Sequence, residues 1–324
     1  MSVPLLEVER LHVWFDLPHE RQLHAVQGVS LSIDRGRRVG LVGESGSGKT
    51  TTILALMGLL PPTASASGRV LLDGEDILAE GERSVAPHRW KDIAMVFQGA
   101  MNAFNPVKRI GEQIAEPMEL HGAHTGAQAE KRVGDLLDLV GIAPARARSF
   151  PHEFSGGMRQ RAAIAMALAC SPKLLLADEP TTALDVMVQA QILELLTRLS
   201  DELGLALILV THDLPVVAQT CMDAAVMYAG KIVEQGPTDT LYHEPRHPYT
   251  QLLFGATPDL ESRDDVISIP GVPPRLDVPI TGCPFAPRCH RAFEPCTSTE
   301  PLLVDVGAGH AAACHLNAAR VATV

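Results

Sequence analysis

The run Gly43-Glu44-Ser45-Gly46-Ser47-Gly48-Lys49-Thr50 fits the pattern G-x-x-x-x-G-K-[ST] at every fixed position. Its chemistry is phosphate binding. Glycines let backbone N–H groups curl around phosphate oxygens without Cβ clashes, and a helix starting at the end of the loop adds its dipole. Lys49 then reaches the β and γ phosphates of a nucleoside triphosphate, the Thr50 hydroxyl ligates Mg2+, and Thr51 continues the same turn. A second run, Leu174-Leu175-Leu176-Ala177-Asp178-Glu179-Pro180, is apolar until it ends in two carboxylates. It delivers Asp178 to the Mg2+ and sets Glu179 beside the γ-phosphate to polarise the attacking water. A further apolar run, 205–210, ends at Thr211-His212-Asp213, so that His212 can contact the γ-phosphate and hold that water. An adjacent Asp-Glu pair or a lone histidine is ordinarily a solvated turn or a structural group. Here both close apolar segments in a chain that already carries a phosphate loop.

Such side chains need a frame, and the hydrophobic pattern supplies one. Strands are expected at 8–15 and 29–33, then at 38–42, running straight into the phosphate loop, with a helix over 51–58. Residues 61–68 read as a loop of turn formers, followed by strands at 70–72 and 93–97. From Gly111 to about Arg148 the period is helical, and Val133, Leu136, Leu137 and Val140 share one face. Helices are expected at 156–169 and 186–203, and buried strands at 174–177 and 205–210. This alternation predicts an α/β fold with a mostly parallel sheet and the site at the carboxyl ends of its strands. Beyond Gly236 prolines punctuate the chain and helical periodicity fades, which places a boundary near residue 240 between a domain over 1–240 and a second over 241–324. No internal repeat is evident, so one nucleotide-binding unit is expected.

Composition narrows the class. The 324 residues are 46% hydrophobic, enough for a large core, while aromatics at 4% are too scarce for a stacking platform that holds single-stranded nucleic acid. A formal charge of -11 leaves no basic footprint for DNA, so nucleic acid is not an expected partner. The apolar stretches fall short of the roughly 18–20 residues that span a bilayer, and the N-terminus lacks a signal-peptide pattern. A soluble, cytoplasmic protein is expected.

The residues between the phosphate loop and Asp178 carry a family likeness. Phe154-Ser155-Gly156-Gly157-Met158-Arg159-Gln160-Arg161 resembles the signature motif of ATP-binding cassette (ABC) ATPases, with Phe and Met158 in place of the commonest Leu and Gln. Gln98 in M-V-F-Q resembles that family's Q-loop glutamine, Thr182-Ala183-Leu184-Asp185 its D-loop, and His212 its switch histidine. Phe15 stands where the family places an aromatic against adenine, with Trp14 and His24 as alternatives. The likeness covers roughly residues 5–240. It implies a P-loop NTPase (RecA-like) core with an antiparallel β subdomain and a helical subdomain over about 99–165. It also implies ATP and Mg2+ as ligands, with Glu179, His212 and Gln98 catalytic and Thr50, Gln98 and Asp178 around the metal. Ser155, Gly156, Gly157 and Asp185 would face a nucleotide held by a second chain, so that ATP is clasped between two subunits.

The C-terminal region sharpens the likeness. His247-Pro248-Tyr249-Thr250-Gln251-Leu252-Leu253 resembles a signature of the oligopeptide/dipeptide importer branch, as does the run from Gln98 to Pro106. That branch imports peptides, and in some relatives nickel, glutathione or oligosaccharides. Membership implies a peripheral subunit on the cytoplasmic face of the cell membrane. Its partners would be a second, related ABC ATPase, two membrane permeases and, indirectly, an extracytoplasmic binding protein. Cys283, Cys289, Cys296 and Cys314 follow the spacing C-x5-C-x6-C-x17-C in a segment poor in apolar residues. Four thiolates suit structural zinc or a [4Fe–4S] cluster, and free or disulfide-linked thiols are the remaining alternative. The likeness to extensions of this branch points to the cluster. Cys170, expected within a helix, and Cys221 read as buried thiols. Soluble ABC ATPases of DNA repair or translation carry long insertions before the Asp-Glu strand that are missing here, and an unrelated P-loop kinase would lack the FSGGMRQR run.

Overall fold

The computed structural model describes residues 3–99, 103–255 and 269–317. Residues 100–102 of the run after Gln98, and the stretches 256–268 and 318–324 of the expected second domain, lie outside the described residues.

In chain order the elements begin with β1 (Leu6–Leu17), β2 (Arg21–Ile33), β3 (Arg38–Val42), α1 (Lys49–Leu56), β4 (Ala64–Leu72) and β5 (Glu75–Asp76). Next come α2 (Glu82–Val85), β6 (Ile93–Val96), α3 (Ile110–Leu120), α4 (Ala127–Leu139), α5 (Gly156–Ala167) and β7 (Leu174–Asp178). Then follow α6 (Val186–Leu203), β8 (Ala206–Thr211), α7 (Leu214–Thr220), β9 (Asp223–Tyr228), β10 (Lys231–Pro237), α8 (Thr238–His243) and α9 (Pro248–Gly255). The chain closes with α10 (Glu294–Ser298), β11 (Val304–Gly307) and β12 (His310–Ala312).

These elements form two compact units, Met1–Ile33 with Arg38–Ala79 and Val210–Val324, and Asp34–Arg37 with Glu80–Leu209. In the first unit β2-β1-β4-β5 make an antiparallel sheet, and the strands β11-β12-β10-β9-β3 follow one another in a second. There β3 and β9 run parallel and carry the phosphate loop at the carboxyl end of β3. In the second unit β6 and β7 pair in parallel beside β8, and the helices α3, α4 and α5 pack on one another. All three of these strands are buried along their whole length, which explains why their sequences are apolar without alternation.

Two expectations need correction. Residues 64–68 are strand, not loop: β4 starts at Ala64, and its small residues sit opposite bulky ones on β1, Ala64 against Phe15 and Ser65 against Trp14. Cross-strand pairing overrides the turn preference of serine and glycine. Cys170 is not inside a helix. α5 stops at Ala167, and the half-buried Cys170 thiol donates to the Pro117 carbonyl at 3.5 Å. The Pro-rich region also keeps more order than its periodicity suggests, since β12 pairs with β10 through Glu234 opposite Ala312.

Candidate functional site

The phosphate loop is fixed by close backbone packing. Gly43 has φ +151°, and a Cβ there would lie 2.2 Å from the Met227 carbonyl oxygen. Gly48 has φ +103°, and its Cβ would lie 2.6 Å from the Ala25 carbonyl oxygen. Any side chain at either place would collide with backbone, so the shape of the loop demands these glycines. Gly48 is also the N-cap of α1, which aims that helix's first N–H groups into the loop. Lys49 is buried, and its ammonium donates to the carbonyls of Gly43 at 2.7 Å and Glu44 at 3.0 Å. Ser47 Oγ is buried without a hydrogen-bond partner among the described residues, a donor available to an incoming oxygen. Glycine cradle, helix start, buried ammonium and spare hydroxyl together suit a polyphosphate. Ser45, Gly46 and Thr50 are exposed around them.

Elsewhere in the first unit, Phe15 is half-buried on β1 opposite Leu23. Trp14 stacks on His24 at 4.6 Å and on His12 at 5.4 Å, so those rings are occupied with each other while Phe15 takes no part in that stack. His212 is exposed just past the end of β8.

In the second unit β7 ends at Asp178, 2% exposed, and the next residue bends into the left-handed region: Glu179 has φ +43°. A non-glycine residue there stores strain, which is tolerated where chemistry requires the side chain to point in one direction. Gln98 Nε2 and Thr182 Oγ1 both donate to Glu179 Oε2, at 2.8 Å and 2.9 Å. The predicted Q-loop glutamine and the predicted base are therefore in contact, and Thr182, not predicted for this purpose, completes the grip. A deeply buried carboxylate at the end of an apolar strand suits a cation-binding role for Asp178.

The signature helix α5 is capped by Ser155, whose Oγ accepts from Met158 N–H at 3.3 Å. Ser155 is exposed at that helix start, with Gly156 and Gly157 in its first turn. A Cβ on Gly157 would lie 2.7 Å from Val188 Cγ1, so the glycine also lets α5 pack on the start of α6. Asp185 caps α6 by accepting from Val188 N–H at 3.0 Å.

The four C-terminal cysteines are free thiols on one small knot, tied by a Cys283 N–H to Cys296 carbonyl bond of 2.8 Å. Burial raises the Cys283 and Cys289 thiols, and burial followed by the charges of the other three pushes Cys314 up to about 11. They are near enough to oppose one another's ionisation, which a bound cationic group would reverse. Among the described residues no three Cys, His, Asp or Glu side chains are grouped so as to hold a metal ion.

Sequence reasoning missed a set of contacts that converge on Glu44. Arg288 pairs bidentately with its carboxylate at 2.7 Å and 3.0 Å, and Tyr249 Oη accepts from its N–H at 2.8 Å. The His-Pro-Tyr run was visible, yet nothing local tells that its tyrosine meets the phosphate loop. Arg288 carried no signal beyond its place between two cysteines.

Comparison with known proteins gives the family. Residues 26–182 match the ABC transporter family, and residues 233–296 match the oligopeptide/dipeptide transporter C-terminal region. The chain is 46% identical over 316 residues to the probable peptide ABC transporter ATP-binding protein y4tR of Sinorhizobium fredii, covering 96% of this chain and 94% of that one. It is 46% identical to the oligopeptide transport ATP-binding protein OppD of Salmonella typhimurium, over 92% of this chain and 90% of the relative. Against OppD of Mycobacterium bovis, also 46% identical, it spans only 52% of the relative's length. Among solved structures it is similar to the dimeric post-hydrolysis ATP-binding cassette MJ0796 bound to ADP and Pi, with a TM-score of 0.64 and 29% identity over 72% of this chain and 98% of that one. With an ABC cassette fold and a matched C-terminal region behind it, the chain belongs to the ATP-binding subunits of the oligopeptide/dipeptide ABC importer family.

Proposed function

We propose that this chain hydrolyses ATP to drive peptide import through an ABC transporter. One observation carries the hydrolytic part: Glu179 follows the buried Asp178 on a strained backbone, its carboxylate steered by Gln98 and Thr182. In this reading Gly43 to Thr51 bind the triphosphate, Phe15 stacks on the adenine, and Thr50, Asp178 and Gln98 hold Mg2+. That ion, when bound, neutralises charge on the phosphate oxygens. Glu179 accepts a proton from water as the water oxygen bonds to the γ-phosphorus. The bond from that phosphorus to the bridging oxygen breaks, giving ADP and phosphate. His212 holds the geometry of the transferred group.

Ser155, Gly156, Gly157 and Asp185 have no such task in their own chain's half of the chemistry. They serve the nucleotide of a second, related ATPase subunit, and two permeases with an extracytoplasmic binding protein complete the transporter. Among the described residues no helix is long and apolar enough to cross a membrane, which suits a peripheral position on the cytoplasmic face. We place the cassette at 1–240, with its helical subdomain at about 99–165, and treat 241–324 as an accessory region. Cys283, Cys289, Cys296 and Cys314 would hold a [4Fe–4S] cluster, which cross-links a segment with little core of its own. That assignment rests on the four thiols and the family likeness, and anaerobic purification followed by iron, sulfide and absorbance measurement tests it.

Glu179→Gln in the assembled transporter tests the central reading. It should lower ATP turnover by about a thousandfold while ATP still binds. Undiminished turnover would remove Glu179 as the base.

A further inference from the structure

The phosphate loop contains a charge that ought to harm it. Glu44 is the second residue of an anion cradle, and an unpaired carboxylate there would repel a triphosphate and compete for the Lys49 ammonium. The fold answers this from a distant part of the chain. Arg288 Nη1 and Nη2 donate to the two Glu44 carboxylate oxygens at 2.7 Å and 3.0 Å, from a side chain only 4% exposed. Its Nε donates to the Pro270 carbonyl at 2.8 Å, and Nη1 also reaches Tyr228 Oη at 3.2 Å. The guanidinium is thus aimed by its whole fork and stays charged, its proton held mainly by Glu44. The Lys49 ammonium donates to main-chain carbonyls, one of them Glu44's own.

The backbone of Glu44 is held as well. Its N–H donates to Tyr249 Oη at 2.8 Å, and its carbonyl accepts from Ser47 N–H at 3.2 Å. Tyr249 is fully buried, with its ring 4.6 Å from that of Tyr228 and 5.4 Å from that of Phe285. The turn that presents Arg288 is closed by Ala286 N–H on the Cys283 carbonyl and Cys289 N–H on the Ala286 carbonyl. Both holds on Glu44 therefore come from the region after residue 240.

We propose that Arg288 and Tyr249 are positioning residues of the phosphate loop: Arg288 removes the Glu44 carboxylate from competition for Lys49, and Tyr249 fixes the Glu44 main chain. The C-terminal region thereby sets nucleotide affinity without touching the nucleotide. This rests on the reading that Gly43–Thr50 holds the phosphates.

The test is ATP affinity, and KM against kcat, in the full-length chain within the assembled transporter. Arg288→Met should raise the Kd for ATP about tenfold, the loss of one charge-assisted pair. Adding Glu44→Gln to Arg288→Met should recover most of that affinity, because the competing charge is then gone; a merely structural arginine would gain nothing from it. Arg288→Lys, which keeps the charge but not the fork, should show an intermediate rise of about threefold. Tyr249→Phe, which keeps the ring packing, should raise KM about fivefold with kcat unchanged. Lys49→Ala serves as the control on the underlying reading. If it binds ATP as tightly as the parent, the phosphate-loop reading falls and takes the inference with it. If it loses affinity while Arg288→Lys and Tyr249→Phe keep the parental Kd and KM, the inference alone is overturned. An Arg288→Met defect that Glu44→Gln fails to relieve overturns it too.

Discussion

The phosphate loop is bound down from several directions, whereas the turn after Asp178 leaves its polar side chains near the surface. Around the loop, Gly43 and Gly48 press against backbone carbonyls, Lys49 is buried, and Glu44 is held by Arg288 and Tyr249. In the second unit, Gln98, Asp185 and Ser155 are exposed, and Glu179 accepts from Gln98 and Thr182 near solvent. The first region is ordered in advance of the nucleotide proposed for it, so little order would have to be created on binding. The second keeps its polar groups at the surface, where exposed groups cost little, as the proposed completion by another chain would need.

Four experiments can break or sharpen this contrast. Gly43→Ala strikes the rigid region hardest. Its Cβ meets a carbonyl oxygen that cannot move aside, so it should cost about 4 kcal/mol in stability and remove ATP binding, read by thermal melting and titration calorimetry. A parental melt with parental affinity would show that the loop gives way easily.

Acid probes the same side of the molecule through His247. The neutral ring accepts from Tyr249 N–H at 3.0 Å, and burial, only partly opposed by Glu234, lowers its pKa to about 4. An unfolded histidine takes up its proton near 6.5, so between about pH 6.5 and 4 the unfolded state binds a proton that the folded state refuses. Stability should therefore fall by about 3 kcal/mol across that window and level off below it, and His247→Asn should flatten the decline in a pH series of denaturant melts. A slope that persists in the variant would assign the acid sensitivity elsewhere.

On the looser side, Gln98→Ala should lower turnover about tenfold even at saturating ATP and Mg2+, because Glu179 loses the hydrogen bond that Gln98 donates. Parental turnover at saturating ATP and Mg2+ would leave Glu179 without need of Gln98. Asp185→Ala should cost least, about 1 kcal/mol for one N-cap, measured by denaturant unfolding. A much larger loss would mean that the turn is as firmly built as the phosphate loop.

The unequal visibility of these features in the sequence has physical causes. The phosphate loop was legible because its chemistry fixes residue types at fixed spacings. Helix Val186–Leu203 was readable to the residue, since Asp185 caps one end and Gly204, at φ +62°, closes the other. Strand β4 was hidden because Ala64, Ser65, Ala66 and Ser67 take their conformation from β1 and not from their own preference. The brace on Glu44 was hidden for a different reason. Arg288 lies 244 residues from its partner, and no local periodicity reports a pairing over that distance. Thr182 stood in plain view within the D-loop run, but its side-chain bond to Glu179 depends on how the turn folds, which residue types alone do not report.

The packing of Gly157 against Val188 carries a historical consequence. With 2.7 Å between a would-be methyl and Val188 Cγ1, the two positions share one atom's worth of room. A lineage that gained a methyl at 157 would have to shed bulk at 188, and in either order the first of the two changes would be the harmful one. These two sites should therefore vary together or stay still.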